Sequence, residues 1–208
     1  MSIPKDLLGL YAGLSQKEIF YLKARWIVSP ISAVEELVPK EGRVYDIGCG
    51  AGLLSNTMAM RSGSRDVTGI DLSEEKIALA KRTILARKNI RFEKADALNL
   101  ILDSPDVVVA CDLIHHIPFS AQEIFLEHIY SMLSQGGLLL IQDIDKRPFL
   151  KYLFAYWADM LQGNAGNLYY RSSGELGNIL ERAGFKVEIR RLDKRYPIAA
   201  VLLRCVKK

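Results

Sequence analysis

Residues 44–52 read Val-Tyr-Asp-Ile-Gly-Cys-Gly-Ala-Gly, and this run constrains the chain more than any other. A strand-like stretch carries Asp46 near its end. Gly48, Gly50 and Gly52 follow, and a helix-compatible segment opens at Leu53. Nineteen residues after Gly52 a second acid, Asp71, closes the apolar run Val67-Thr68-Gly69-Ile70. Strand, glycine turn, helix, strand and terminal acid together make the nucleoside-cofactor half of a doubly wound sheet.

The spacing selects among cofactors. A dinucleotide fold asks for G-x-G-x-x-G, with its third glycine where Leu53 stands. Here the pattern is G-x-G-x-G, with Asp46 two residues ahead of the first glycine. This resembles the class I S-adenosylmethionine-dependent methyltransferases, of the small-molecule type. A dinucleotide aims its pyrophosphate at a helix N-terminus. S-adenosylmethionine has no phosphate; it needs backbone room for its amino-acid portion and a carboxylate near its ammonium group. Gly48, Gly50, Gly52 and Asp46 are placed to supply them.

The elements follow in order. Ser15 and Glu18 form a capping box ahead of a helix over residues 15–28, and a second helix spans Ile31–Val38. Strand one is Arg43–Ile47, the first core helix Leu53–Arg61, strand two Val67–Asp71. Ser73 caps a helix over Glu74–Arg87. Strand three is Ile90–Lys94 and strand four Asp106–Cys111. A helix over about Ala121–Leu133 ends at Gly136-Gly137, and strand five is Leu138–Ile141. Strands four and five, and strand one apart from Arg43 and Asp46, are nearly all apolar, as central parallel strands must be. Residues 146–171 read as an inserted helical piece over the mouth of the sheet. A last helix, capped by Ser172 or Ser173, leads to Phe185–Arg191 and Ile198–Val206. The resemblance makes this pair strands six and seven. It implies an α/β, Rossmann-like, mostly parallel sheet of seven strands in the order 3-2-1-4-5-7-6, with strand seven antiparallel. One domain is expected: an N-terminal helical lid over 1–40, a cofactor core over 41–145, a lid insertion over 146–171, and a last segment over 172–208.

Ligands of open doubly wound sheets lie outside the carboxyl ends of the strands. Asp46, Asp71, Asp96, Asp112, Asp143 and Asp145 fall at or just beyond these ends in the expected arrangement. A carboxylate accepts two hydrogen bonds from a ribose diol, which assigns Asp71. Asp96 with the Ala97 amide is placed for the adenine edge, and Leu72 for the adenine face. The resemblance, which covers about residues 40–145, carries these positions over one by one, with Asp112 among the cofactor residues.

The methyl group of the cofactor is electrophilic, so the protein must align a nucleophile and exclude water. A general base serves an acidic acceptor. Asp112-Leu113-Ile114-His115-His116-Ile117-Pro118 resembles the loop after strand four in small-molecule methyltransferases, and His115 and His116 are the catalytic candidates. The sequence does not rank them. Asp112, His115 and His116 also have a spacing that metal ligands use, but the loop is common in metal-free relatives, and no metal is expected.

Aromatic residues concentrate in the two lid segments: Tyr11, Phe20, Tyr21, Trp26, Tyr152, Tyr156, Trp157, Tyr169 and Tyr170. A pocket walled by them suits an apolar or aromatic small molecule. Tyr21, Arg25, Tyr156 and Tyr170 are the substrate-binding candidates, and Arg171 a further anion-binding one. Methylation at oxygen is favoured, with carbon and nitrogen as alternatives.

Composition excludes other classes. A net charge of +4, spread along 208 residues, offers no nucleic-acid arm. An RNA or protein methyltransferase is the alternative reading, disfavoured by the absence of an Asn/Asp-Pro-Pro-Tyr motif after strand four, and a non-catalytic cofactor-binding protein is another. A nicotinamide oxidoreductase is disfavoured by Leu53 and by the lack of a Tyr-x-x-x-Lys pair. The three cysteines, with no C-x-x-C, suggest neither a disulfide framework nor zinc. The expected place is the cytoplasm. No run reaches membrane-spanning length, contact of the insertion with a membrane surface stays open, and either a monomer or a homodimer is expected.

Overall fold

Strands that are apolar on both faces can be buried only between two layers of helices, and the arrangement around them follows from that requirement. The computed structural model describes residues 2–160 and 168–208. The N-terminal part holds α1 (Lys5–Gly9), α2 (Gln16–Val28) and α3 (Ile31–Glu35). Then come β1 (Gly42–Ile47), α4 (Leu53–Arg61), β2 (Arg65–Asp71), α5 (Glu74–Arg82), β3 (Ile90–Lys94) and β4 (Val107–Cys111). They are followed by α6 (Phe119–Met132), β5 (Leu138–Ile144), α7 (Phe149–Asp159), α8 (Ser173–Arg182), β6 (Phe185–Arg191) and β7 (Ala200–Lys207). One seven-stranded sheet has the order β3-β2-β1-β4-β5-β7-β6. β1 through β5 pair in parallel, and β7 runs antiparallel to both β5 and β6.

Two cores cover the sheet. On one face Val44, Val67, Val107 and Leu140 pack against Trp26, Val34, Leu54 and Met58 of the N-terminal helices and α4. On the other Ile47, Val108, Leu139 and Leu203 pack against Phe125, Ile129 and Leu180 of α6 and α8. A smaller cluster joins Ile144, Ala199 and Ala200 to Ala155 and Tyr170, and seats α7 beyond the end of β5. The expected capping box of Ser15 with Glu18 is formed, and Ser172 rather than Ser173 caps α8, in a second capping box with Glu175. Among the described residues no helix is long and apolar enough to cross a membrane.

Several boundaries differ from the expected ones for identifiable reasons. β5 runs on to Ile144 because Asp143 and Ile144 pair with Val201 and Ala200 of β7, so Asp143 lies inside the strand and only Asp145 follows it. The helix expected over Glu74–Arg87 stops at Arg82, and Leu85 takes a left-handed φ of 51°. The helix expected over Ile31–Val38 is α3 alone, which ends at Glu35. That shift places Glu35 on Arg65, which is fully buried. Arg65 meets Glu35 Oε1 at 2.7 Å and donates to the carbonyls of Val38, Pro39 and Met58 at 2.6–2.9 Å. Of the expected insertion, residues 161–167 lie outside the described residues.

Candidate functional site

The glycine turn grows from the pairing of β1 with β2. The N–H groups of Gly48 and Cys49 both donate to the Ile70 carbonyl, at 2.8 and 2.9 Å. Gly50 follows with a φ of +56°, and a Cβ placed there would find open space within 4 Å. Gly52 has a φ of +81°, and its Cβ would stand 2.6 Å from Cζ of Phe92. The third glycine thus admits the Phe92 ring of β3 under the turn, while Gly50 leaves the space above the turn clear.

Asp71 ties this turn to the end of β2. Its Oδ2 accepts the Gly50 N–H at 2.8 Å and its Oδ1 the Ser73 N–H at 2.9 Å. A carboxylate oxygen has two lone pairs, so each still has one for a diol. Leu72, beside it, is 66% exposed. Asp96 caps a turn of 3-10 helix over Ala97–Asn99, accepting from the Leu98 N–H at 3.0 Å and Asn99 Nδ2 at 2.9 Å. The Ala97 N–H opens that turn and has no partner within it.

Asp46 is buried and accepts Ser55 Oγ at 2.5 Å. Burial, with the charge of Asp71 adding, pushes its carboxyl up to about 6 against the opposing hydrogen bond of Ser55. A buried carboxylate short of a positive partner is what a cationic ligand would correct. The open space over Gly50, this carboxylate and the paired acceptors of Asp71 fit the amino-acid and ribose portions of S-adenosylmethionine.

A second constellation lies across the ends of β4 and β5. Asp112 has a φ of 48°. Its carboxylate meets Arg25 of α2 at 2.8 Å and accepts Ser29 Oγ and Gln142 Nε2, both at 2.9 Å. Burial pushes the Asp112 carboxyl up, but Arg25, His115 and these two hydrogen bonds outweigh it and hold it below the usual range. The pair clamps α2 to the sheet. Between α2 and α7 this leaves a cavity of about 220 Å³ whose walls include Tyr21, Arg25, Asp112, Ile144, Phe154 and Asp159.

His115 lies in a short turn, Ile114–His116, and is 2% exposed. Its Nδ1 is 2.5 Å from Asp143 Oδ1, and its backbone N–H donates to the other oxygen at 3.2 Å. Among the described residues its Nε2 has no hydrogen-bond partner, with Asp159 Oδ2 standing 3.5 Å away. Burial alone would lower the imidazole; Asp143, Asp112 and Asp159 outweigh it and raise it above the ordinary value. The His116 ring is half-buried and lies 4.1 Å from that of His115, centroid to centroid. The two imidazoles are therefore unequal, a distinction the sequence did not carry. Tyr170 stacks on His115 at 4.8 Å, with planes 12° apart, and donates its hydroxyl to Asp159.

Of the four expected substrate residues, Tyr21 and Arg25 line the cavity. Tyr156 and Tyr170 do not; they pack together behind it with Ala155 and Ile144. Arg171 is spent on structure, donating to Gln122 Oε1 at 2.6 Å and to the Phe119 carbonyl. Sequence reasoning did not single out Asp159. Its signal is modest: one acid at the end of α7, a run that is aromatic and apolar apart from Lys151. Among the described residues no group of three or more His, Cys, Asp or Glu could hold a metal ion.

A model of the methyltransferase domain family matches residues 21–188, well over half of the chain. The chain belongs to this family of methyltransferase domains. As a class I methyltransferase it takes S-adenosylmethionine as its cofactor. A ubiquinone biosynthesis O-methyltransferase of Nitrosomonas europaea is 31% identical over 131 residues, 60% of this chain and 54% of that protein. Its counterpart in Nitrosospira multiformis is 30% identical over 155 residues, 70% of this chain and 63% of that protein. The chain thus spans little more than half the length of these curated relatives. In fold it resembles the magnesium protoporphyrin IX methyltransferase of Synechocystis PCC 6803, solved with bound SAH. That likeness has a TM-score of 0.70 at 20% identity and covers 96% of this chain and 92% of the other.

Proposed function

We propose that this methyltransferase domain moves the methyl group of S-adenosylmethionine to a hydroxyl oxygen of a small, largely apolar molecule held between α2 and α7. The observation that carries the reading is the His115–Asp143 pair buried beside the cavity, next to a glycine turn built for the cofactor. The names of the curated relatives support oxygen as the acceptor.

When bound, the cofactor supplies a methyl group on a positively charged sulfur, open to in-line attack. Gly48, Gly50 and Asp46 hold its amino-acid portion, and Gly52, expected among them, instead shapes the turn by admitting the Phe92 ring beneath it. Asp71 takes the ribose hydroxyls, Leu72 covers the adenine face, and Asp96 with the Ala97 N–H holds the adenine edge. Asp112 acts by fixing Arg25, and so keeps α2 over the site and water out. Tyr21 and Arg25 wall the acceptor, and Tyr156 and Tyr170 back that wall. An acidic hydroxyl must lose its proton as it is methylated. His115 stores that proton, because Asp143 fixes its tautomer and stabilises the imidazolium.

Incubating the protein with methyl-labelled S-adenosylmethionine and a panel of phenols, catechols, alkyl alcohols and aromatic amines tests the reading. Label in an ether product from at least one member is the expected result. Label only on amine or carbon acceptors would overturn the choice of oxygen.

A further inference from the structure

Between the cavity and the buried imidazole stands Asp159, the last residue of α7. It lines the cavity and its side chain is 18% exposed, whereas His115 does not line the cavity. A molecule in the cavity therefore meets the carboxylate and not the ring. The Nδ1–H of neutral His115 is committed to Asp143 Oδ1, so Nε2 is an acceptor. It faces Asp159 Oδ2, also an acceptor, at 3.5 Å. Two acceptors hold each other off until a proton arrives; with one between them they form a charge-assisted hydrogen bond. Tyr170 fixes the outer side of the arrangement, since its hydroxyl donates to the same Asp159 oxygen and its ring covers His115.

From this geometry we infer that Asp159 is the catalytic residue that touches the acceptor hydroxyl and passes its proton inward to His115. The inference rests on the reading above, in which the acceptor is an oxygen. The acceptor O–H bond breaks and its proton goes to a carboxylate oxygen of Asp159. The electron pair left on oxygen forms the new bond to the methyl carbon, and the carbon–sulfur pair returns to sulfur. The proton then moves to Nε2, and the imidazolium lies between Asp143 and Asp159. After product leaves, it returns through Asp159 to water. The methyl group neither gains nor loses electrons, and no further reactant is required.

The charged and titratable groups facing His115 are Asp143 of β5, Asp112 after β4, His116 beside it, and Asp159 and Tyr170 from the lid side. The test follows the three histidines by NMR in wild type, Asp159→Asn and Tyr170→Phe, using nitrogen-15-labelled imidazoles. The same proteins are assayed for transfer to catechol and for S-adenosylmethionine binding. Removing the Asp159 charge should lower the His115 titration by about one pH unit or more. Removing the Tyr170 hydroxyl frees the carboxylate for Nε2 and should raise it. Asp159→Asn should bind the cofactor as wild type does, yet lose transfer at least tenfold. Opposite shifts from two neighbouring variants are not what loosened packing gives. An unmoved His115 titration in Asp159→Asn, or wild-type transfer by that variant, would overturn the inference. If Asp159→Asn does not fold, the Tyr170→Phe shift decides: upward supports the inference, and none overturns it. If wild type transfers nothing to catechol, that substrate fails, and the two titrations alone decide the place of Asp159.

Discussion

Asp71 accepts the backbone N–H of Gly50 at 2.8 Å, and with the Gly48 and Cys49 bonds to the Ile70 carbonyl this joins the end of β2 to the glycine turn after β1. The residue proposed to take the ribose therefore also shapes the turn proposed to take the amino-acid portion. Asp71→Ala should weaken S-adenosylmethionine binding by tenfold to a hundredfold, since hydrogen bonds to a charged group are worth about 1.5–3 kcal/mol. Calorimetric affinity, with circular dichroism as the control for folding, checks it.

Gly50 and Gly52 stand two residues apart and should respond differently to alanine. At Gly52 the added carbon meets the Phe92 ring in a left-handed backbone. A loss of about 2–4 kcal/mol in unfolding free energy is expected from crowding and strain together. At Gly50 the carbon enters open space. Its cost to stability should be about 1–2 kcal/mol, and the larger effect should fall on cofactor affinity. Denaturant unfolding and calorimetry on both variants separate the two.

Ionising Asp46 works against the folded state. Its folded pKa of about 6 lies above its ordinary 3.8 because the group is buried. Below pH 4 or so both states keep the proton and nothing is lost. Between there and about pH 6 the folded state holds it and the unfolded state does not, so stability falls as pH rises, then levels off. The full drop is about 3 kcal/mol. Asp46→Asn should remove that slope. In wild type, S-adenosylmethionine affinity should climb through the same window, because the ionised carboxylate is the proposed partner of the ammonium group. Unfolding and binding curves from about pH 4 to about pH 7 check both signs.

Arg65 and Glu35 form a buried pair, each side chain no more than 1% exposed. Removing one partner leaves the other charge uncompensated, so Glu35→Ala should cost about 3–5 kcal/mol. The double replacement Glu35→Leu with Arg65→Met should cost much less. Chemical denaturation of the single and double variants gives the difference.

Where local pattern and tertiary packing agree, the sequence was readable. The helix at Leu53–Arg61 and the strands at Ile90–Lys94 and Phe185–Arg191 have the bounds their patterns require. The sheet order and the glycine turn followed from the motif and its resemblance. What could not be read depends on distant partners. Gln142 and Asp143 resemble the polar end of a strand until β7 pairs with them. Arg65 resembles a surface residue until α3 brings Glu35 over it. α1 has five residues, too few for a period to show. In the site, the ranking of His115 against His116 came from Asp143, which lies 28 positions beyond His115. Asp159 joined them only through the seating of α7 against the end of β5.

Isothermal titration of S-adenosylmethionine and S-adenosylhomocysteine into the wild-type protein, with Asp71→Ala alongside, tests the methyltransferase assignment most directly. Micromolar binding of both ligands to wild type, lost or greatly weakened in the variant, is the expected result. Absence of binding to wild type, or equal binding by the variant, would contradict the cofactor site drawn around Gly50 and Asp71.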